Sequence, residues 1–216
     1  MLEKLKKLNP SVKLYDVSDK EFAAYGKLLD GFDTAEILKA AQKTEFPAEG
    51  SAYSPSVASF EALDISKEVS ARLFGTLDTQ MGYCYGHNSV LGATEWHYSS
   101  ELNIATTPLV LILAKTSDIR DGKLNSADMK AFFVPQGSVL EIYNTTTHFC
   151  PIEVDDGGFG CVVGLPRGTN TPLECEVSDK MLFRKNKWII CHEDNDGLAS
   201  KGVAVGIYGE NYKINY

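Results

Sequence analysis

The chain sets Glu95, His97 and Glu101 close together in the run Glu95-Trp-His97-Tyr-Ser-Ser-Glu101. Residues two apart on an extended strand share a face, so Glu95 and His97 project to the same side. A tight turn through Ser99 and Ser100 returns Glu101 to that side as the next strand begins. One imidazole and two carboxylates converging in this way form a competent ligand set for one divalent ion such as Mn, Fe, Zn or Ni. The same residues also suit a polar hairpin on a solvated sheet face, and the local pattern admits both.

Further residues surround this cluster in the sequence. Ala131-Phe-Phe-Val-Pro135-Gln-Gly137 reads as a strand closed by a Pro-x-Gly turn, and Val139, Glu141 and Tyr143 then alternate towards His148. Glu141 is a candidate general base, with Tyr85 or Tyr143 as a partner in proton transfer. If the Glu141 face points outward, it is a solvated charge. Tyr83, Tyr85 and His87 alternate along a strand, so they either line a pocket mouth or give the strand an aromatic core face. Lys130 is a substrate-anion contact or the exposed start of a strand. Arg167, in the polar loop Leu165-Pro-Arg167-Gly-Thr-Asn170, has the planar fork that pairs with carboxylate or phosphate. His192-Glu-Asp-Asn195 looks rich in ligands, but consecutive residues face apart on a strand, and it reads as a surface turn. The five cysteines, Cys84, Cys150, Cys161, Cys175 and Cys191, form no CxxC pair and read as small core hydrophobes.

The elements that must position these residues change character along the chain. Ser18-Asp-Lys-Glu21 has capping-box spacing, and Phe22, Tyr25, Leu28 and Leu29 follow at helical intervals up to Gly31, which predicts a helix. A second helix is expected from Asp33 or Thr34 to Gln42, and a third from Ser66 to Leu77. Residues 1–48 thus read as an N-terminal helical extension, 49–196 as the main β domain and 197–216 as a C-terminal strand and tail packed on it. From Met81 onward come short β-rich runs: 81–87, 93–98, 101–105, 109–116, 130–135, 139–143, 148–154, 159–165, 181–191 and 203–208. So many short strands favour two packed sheets or a closed barrel, and no helical periodicity separates them as a βαβ unit would require.

Placed in order, these motifs resemble those of the cupin superfamily. Cupins carry a first motif His-x-His-x3or4-Glu and a second in which Pro-x-Gly precedes a His, and the four side chains meet a metal inside a jelly roll. Here Glu95 stands where the first His is usual, His97 matches the second His and Glu101 the Glu. His148 matches the His of the second motif, at a longer distance from Gly137. Thr-Thr-His148-Phe-Cys-Pro is similar to a stretch in ureidoglycolate-lyase-like cupins, and the resemblance covers roughly residues 50–195. It implies a mainly β, cupin-type double-stranded β-helix and one divalent metal held by Glu95, His97, Glu101 and His148. It further implies a metal-dependent lyase or isomerase for a small sugar, sugar acid or hydroxy acid; His87, Lys130 and Arg167, from their own chemistry and placement, are the candidate substrate contacts. A homodimer is a further implication. The carboxylate at position 95 biases the site towards harder ions, and it also fits a cupin module that binds a sugar or metabolite without turning it over.

Composition narrows the function classes. The 216 residues hold 21 Lys+Arg against 29 Asp+Glu, a net charge of −8. That balance argues against a nucleic-acid partner, which selects a clustered basic face. At 44% hydrophobic and 23% charged residues, the chain can bury a core without disulfides. The run Leu109 to Ala114 is far shorter than the ~20 residues of a membrane span, and reads as a buried strand. No apolar run follows the basic residues of MLEKLKKLNP, so no secretory signal is expected. With the unpaired cysteines, a cytoplasmic protein is the expectation.

Overall fold

The computed structural model describes residues 1–216. In chain order the strands are β1 (Leu14–Asp16), β2 (Gly26–Leu28), β3 (Ser51–Ser54), β4 (Thr79–Gly86), β5 (Ala93–Trp96), β6 (Glu101–Ala105), β7 (Leu109–Lys115) and β8 (Leu124–Asn125). They continue with β9 (Lys130–Val134), β10 (Val139–Ile142), β11 (Thr146–Thr147), β12 (Ile152–Glu153), β13 (Phe159–Pro166), β14 (Leu182–Arg184), β15 (Lys187–His192) and β16 (Ala204–Tyr208). The front sheet has the order β2-β10-β6-β13-β4-β3. Behind it, β1-β9-β7 carries β11 and β12 on the free side of β7, and β5 pairs with β15 next to β16 and β8. The chain passes from sheet to sheet, so β4, β13, β6 and β10 face β5, the β11–β12 segment, β7 and β9. This interleaving is the jelly roll.

The sequence pattern explains which faces are buried. β7 is apolar up to its last residue, Lys115, because both its faces are covered. Leu109, Leu111 and Leu113 point between the sheets onto Phe132, Leu140 and Val163. Val110, Ile112 and Ala114 point outward, where Leu5 and Ile214 from the two ends of the chain cover them. β6 is likewise buried along its length. Leu102 and Ile104 face outward beneath Ile37, Phe60 and Val69 of the helices Ala35–Ala41, Ala58–Glu61 and Asp64–Arg72. Glu101 and Asn103 therefore face inward. No helix is long and apolar enough to cross a membrane.

Several local expectations are corrected. The helix expected over 18–31 is a 3-10 turn, Lys20–Ala24, followed by β2. In a 3-10 turn side chains three apart eclipse, and Phe22 and Tyr25 use that spacing to pack on Phe132. Ser18 of the expected capping box serves a different turn, in which Asp16 Oδ1 accepts from the Ser18 N–H and hydroxyl. Residues 1–48 are not helical throughout, since β1 pairs with β9 and β2 with β10. The strand expected over 148–154 is interrupted at Pro151, which has no N–H to donate. That expected over 181–191 is a hairpin turning at Asn186, which has a φ of 56°. His192 is not at the surface: it is buried, with Nε2 facing the Gly209 carbonyl at 3.1 Å.

Phe132 joins the N-terminal segment to the sandwich, with ring centroids 5.8, 5.4 and 5.3 Å from Tyr15, Phe22 and Tyr25. Phe132→Ala is expected to cost about 3–5 kcal/mol in urea unfolding, as for other buried aromatic truncations. A loss below about 1 kcal/mol would show that the N-terminal segment is not anchored there.

Candidate metal centre

At one end of the sandwich, polar groups replace the apolar filling between the sheets. A cavity of about 210 Å³ is lined there by Glu95, Glu101, Asn103, His148, Tyr53 and Lys187, among others. β5 delivers Glu95, and His97 follows where the strand ends. The turn at 98–100 brings Glu101 back, so that its Oε2 lies 3.3 Å from His97 Nε2. His148 arrives from the other half of the back sheet. Its N–H donates to the Glu95 carbonyl at 2.8 Å, and the Glu95 N–H donates to its carbonyl at 2.6 Å. This backbone pair sets His148 Nε2 3.1 Å from Glu101 Oε2. Glu95 Oε1 is 3.8 Å from His97 Nε2. Glu95, His97 and His148 each offer a ligand atom within 4.8 Å of the others.

These separations suit a shared ion, because ligands about 2.0–2.1 Å from one metal stand roughly 3 Å apart when adjacent. The hydrogen bonding supports the same fit. His97 Nδ1 lies 2.6 Å from the Asn186 carbonyl, so Nδ1 carries the proton and Nε2 turns a lone pair inward. That buried Nε2 has no hydrogen-bond partner. Neither has Nδ1 of His148. Two imidazoles and two carboxylates, with an orphaned nitrogen aimed at the carboxylates, fit a divalent ion.

Asn186 and Lys187 have no counterpart in the expectations from sequence. Besides its carbonyl, Asn186 uses its side chain: Oδ1 accepts the Tyr98 N–H at 2.8 Å and Nδ2 donates to Thr169 Oγ1 at 2.9 Å. It thereby fixes the turn that carries His97. Asparagine tolerates the left-handed backbone this requires. Lys187 Nζ sits 2.5 Å from Glu95 Oε2. Tyr53, Asn103 and Asn170 also line the cavity. Asn103 follows Glu101 by two residues on β6 and shares its face by strand alternation, whereas the others belong to strands or loops distant in sequence from the motif, where no local spacing signals them. Cys84, Cys150 and Cys161 line the cavity too, whereas Cys175 is exposed, which corrects the expectation of five core thiols.

The other expected site residues lie outside this lining. Glu141 Oε1 accepts the Ser100 hydroxyl at 2.8 Å, beside Glu101. Tyr85 stacks on Tyr83 at 4.9 Å and packs against Phe46 at 5.7 Å. Tyr143 is half-buried just past the end of β10. His87 Nδ1 is 2.7 Å from Glu153 Oε2. Lys130 Nζ lies 5.2 Å from the Tyr15 ring centroid. Arg167 Nε donates to both oxygens of Asp78 at 3.0 Å, and its two terminal nitrogens reach Glu61 at 3.4 and 3.3 Å.

Burial pushes the Glu101 carboxyl up, but His148 and His97 outweigh it and hold the group well below the ordinary 4.5. Burial pushes His148 down, and Glu101 outweighs it, so His148 lies above the ordinary 6.5. The two shifts describe one ion pair. Its contribution to the metal-free protein is fully present between the ordinary values of 4.5 and 6.5. It is lost as pH rises through the raised His148 value or falls through the depressed Glu101 value. Melting of chelator-treated protein is therefore expected to occur at a lower temperature at about pH 9 than at about pH 6, with the difference diminished in Glu101→Gln. Equal pH dependence in the wild type and the variant would refute the pairing.

Comparison with known proteins places these features in a family. No curated protein matches the chain. Its fold is similar to parts of larger solved structures at low identity. Oxalate decarboxylase from Bacillus subtilis at pH 4.6 is 10% identical with a TM-score of 0.32, over 45% of this chain and 23% of that one. A Bacillus subtilis oxalate decarboxylase structure from a study of its Mn(II) centres gives 10% and 0.34, over 56% and 28%. Salicylate 1,2-dioxygenase from Pseudoaminobacter salicylatoxidans, as an adduct with gentisate, gives 8% and 0.32, over 62% and 30%. The matched regions thus span less than a third of each of those chains. The model of one family, described as a domain of unknown function (DUF4867), matches residues 14–212, and the chain belongs to that family.

Proposed function

We propose that the chain is a cupin enzyme of the cytoplasm, a metal-dependent lyase or isomerase acting on a small sugar, sugar acid or hydroxy acid as a homodimer. The observation that carries this reading is the convergence of Glu95, His97, Glu101 and His148 beside a cavity between the sheets, with His97 Nε2 buried and unpartnered. Glu95, His97, Glu101 and His148 would hold the ion, Mn, Fe, Zn or Ni, which would supply a Lewis acid for a carbonyl or hydroxyl oxygen of the substrate. Asn186 keeps His97 in the tautomer that offers Nε2. Burial, reinforced by the Glu101 charge, raises the Tyr53 phenol well above the ordinary 10.0. Tyr53 thus stays protonated at the cavity mouth and can donate to a substrate oxygen. Glu141, Tyr85 and Tyr143 lie outside the cavity lining, and Glu141 serves the site by holding Ser100 in the turn before Glu101.

A second reading, a binding module without turnover, is favoured by the Lys187–Glu95 contact, because an ammonium on this carboxylate competes with a metal for it. Elemental analysis of protein purified without chelator distinguishes the readings, followed by incubation with sugar acids and ketoses and product analysis by mass spectrometry. Near-stoichiometric metal is expected in the wild type and its loss in His97→Ala and His148→Ala, with circular dichroism unchanged. Stoichiometric metal retained in both variants would remove the site assignment. Metal without any product would favour the binding module. Light scattering tests the dimer, which a monomeric mass would exclude.

A further inference from the structure

We infer that the cavity selects a short hydroxy acid over the corresponding neutral polyol, and that Lys187 is the side chain that reads the carboxylate. The inference rests on the metal reading above and narrows its substrate class. Lys187 is the one lysine or arginine in the cavity lining. Its side chain is only 16% exposed, and its ammonium touches Glu95 Oε2 at 2.5 Å. An ammonium has three donors, so this contact leaves Lys187 able to bond a second acceptor. Two carboxylates against one ammonium and one divalent ion leave the wall with a single net positive charge. Inside a cavity of reduced dielectric, that balance favours a monoanion over a neutral ligand of the same shape.

A second, independent feature calls for hydroxyl groups on the same ligand. Asn170 is held with a φ of 70°, and its N–H donates to the Lys185 carbonyl at 3.0 Å. Its Nδ2 donates to the Tyr53 hydroxyl at 3.1 Å. Its Oδ1, on a residue that lines the cavity, is buried and has no donor. A buried acceptor left unpaired is costly, and a ligand O–H would satisfy it. Tyr53, accepting from Asn170, keeps its own proton to donate. The lining therefore offers a cation for a carboxylate at one place, and an acceptor and a donor for hydroxyls at another. Size favours a short ligand: at about 210 Å³ the cavity is smaller than the roughly 300–1,000 Å³ typical of sites for drug-sized molecules.

The test uses full-length protein loaded with Mn(II), its metal content checked by elemental analysis, and calorimetric titration with D-erythronate and with erythritol. These probes share a four-carbon polyhydroxy skeleton and differ in the carboxylate. The wild type is expected to bind erythronate at least about tenfold tighter than erythritol, the scale of one charged hydrogen bond. Lys187→Met is expected to lose most of that preference while retaining metal, and Lys187→Arg to keep it. Equal affinity for the two probes would overturn the inference, and so would an unchanged preference in Lys187→Met. Failure of the metal reading appears separately, as protein that takes up no Mn(II), and the inference falls with it because the wall then carries no net positive charge. Circular dichroism and the charge-conserving variant separate a misfolded Lys187→Met from a loss of recognition.

Discussion

Two reciprocal backbone hydrogen bonds, Glu95 N–H to the His148 carbonyl and His148 N–H to the Glu95 carbonyl, join the halves of the back sheet. On one side of this bridge stand β9, β7 and the β11–β12 segment, and on the other β5, β15 and β16. The cavity depends on it. Without the bridge, β5 would carry Glu95 and His97 on an antiparallel pair with β15, and His148 would belong to a different sheet. With it, the carboxylate of one strand and the imidazole of the next point into the same space, and Glu101 on the opposing sheet meets both imidazoles. Pro151 contributes by interrupting the ladder along β7 just beyond His148.

The charges assembled there oppose stability on their own. Glu95, Glu101, His97, His148 and Lys187 lie at most 16% exposed, and moving such groups out of water is unfavourable unless each finds a partner. The partners are only partly supplied by the protein: Lys187 lies against Glu95 and His148 answers Glu101, but His97 Nε2 has no hydrogen-bond partner. Apolar residues would fill this end of the sandwich at less cost, as Phe132, Leu140 and Leu111 do elsewhere in the interior. An incompletely satisfied polar cluster in an otherwise close-packed sandwich is where function displaces stability as the determinant of sequence.

How much of this was legible in the sequence depends on the distance over which each pattern acts. Strand alternation is local, and it located β6, β7 and β10 within a residue at each end. The first-motif spacing is also local, and it brought Glu95, His97 and Glu101 to one side. Phe22 and Tyr25 misled because intervals of three fit a 3-10 turn as well as an α-helix, and only packing against Phe132 decides between them. His192 misled because consecutive polar residues resemble a loop until β16 and Gly209 are seen to cover the imidazole. Lys187, Asn186 and Tyr53 had no local signal. Their roles follow from strand pairing, β15 on β5 and β3 on β4, which brings residues separated by tens of positions beside the motif.

Those long-range partners also rationalise the departure at position 95. A neutral imidazole, the residue expected there from the cupin resemblance, adds no charge to the interior. A carboxylate adds one negative charge, and Lys187, 2.5 Å away, adds one positive charge. The Glu95–Lys187 pair therefore carries the same net charge as the imidazole it stands in for, and the balance of the wall is preserved. The distribution of charge changes: Glu95 Oε1 lies 3.8 Å from His97 Nε2, while Lys187, which lines the cavity, sits on the other carboxylate oxygen. A site with this substitution keeps the charge needed to hold a divalent ion and gains a fixed cation beside it. Position 187 is thus the place where the chain's departure from the motif acquires a chemical consequence, since lysine there turns an exchange of ligands into a change in what the cavity can recognise.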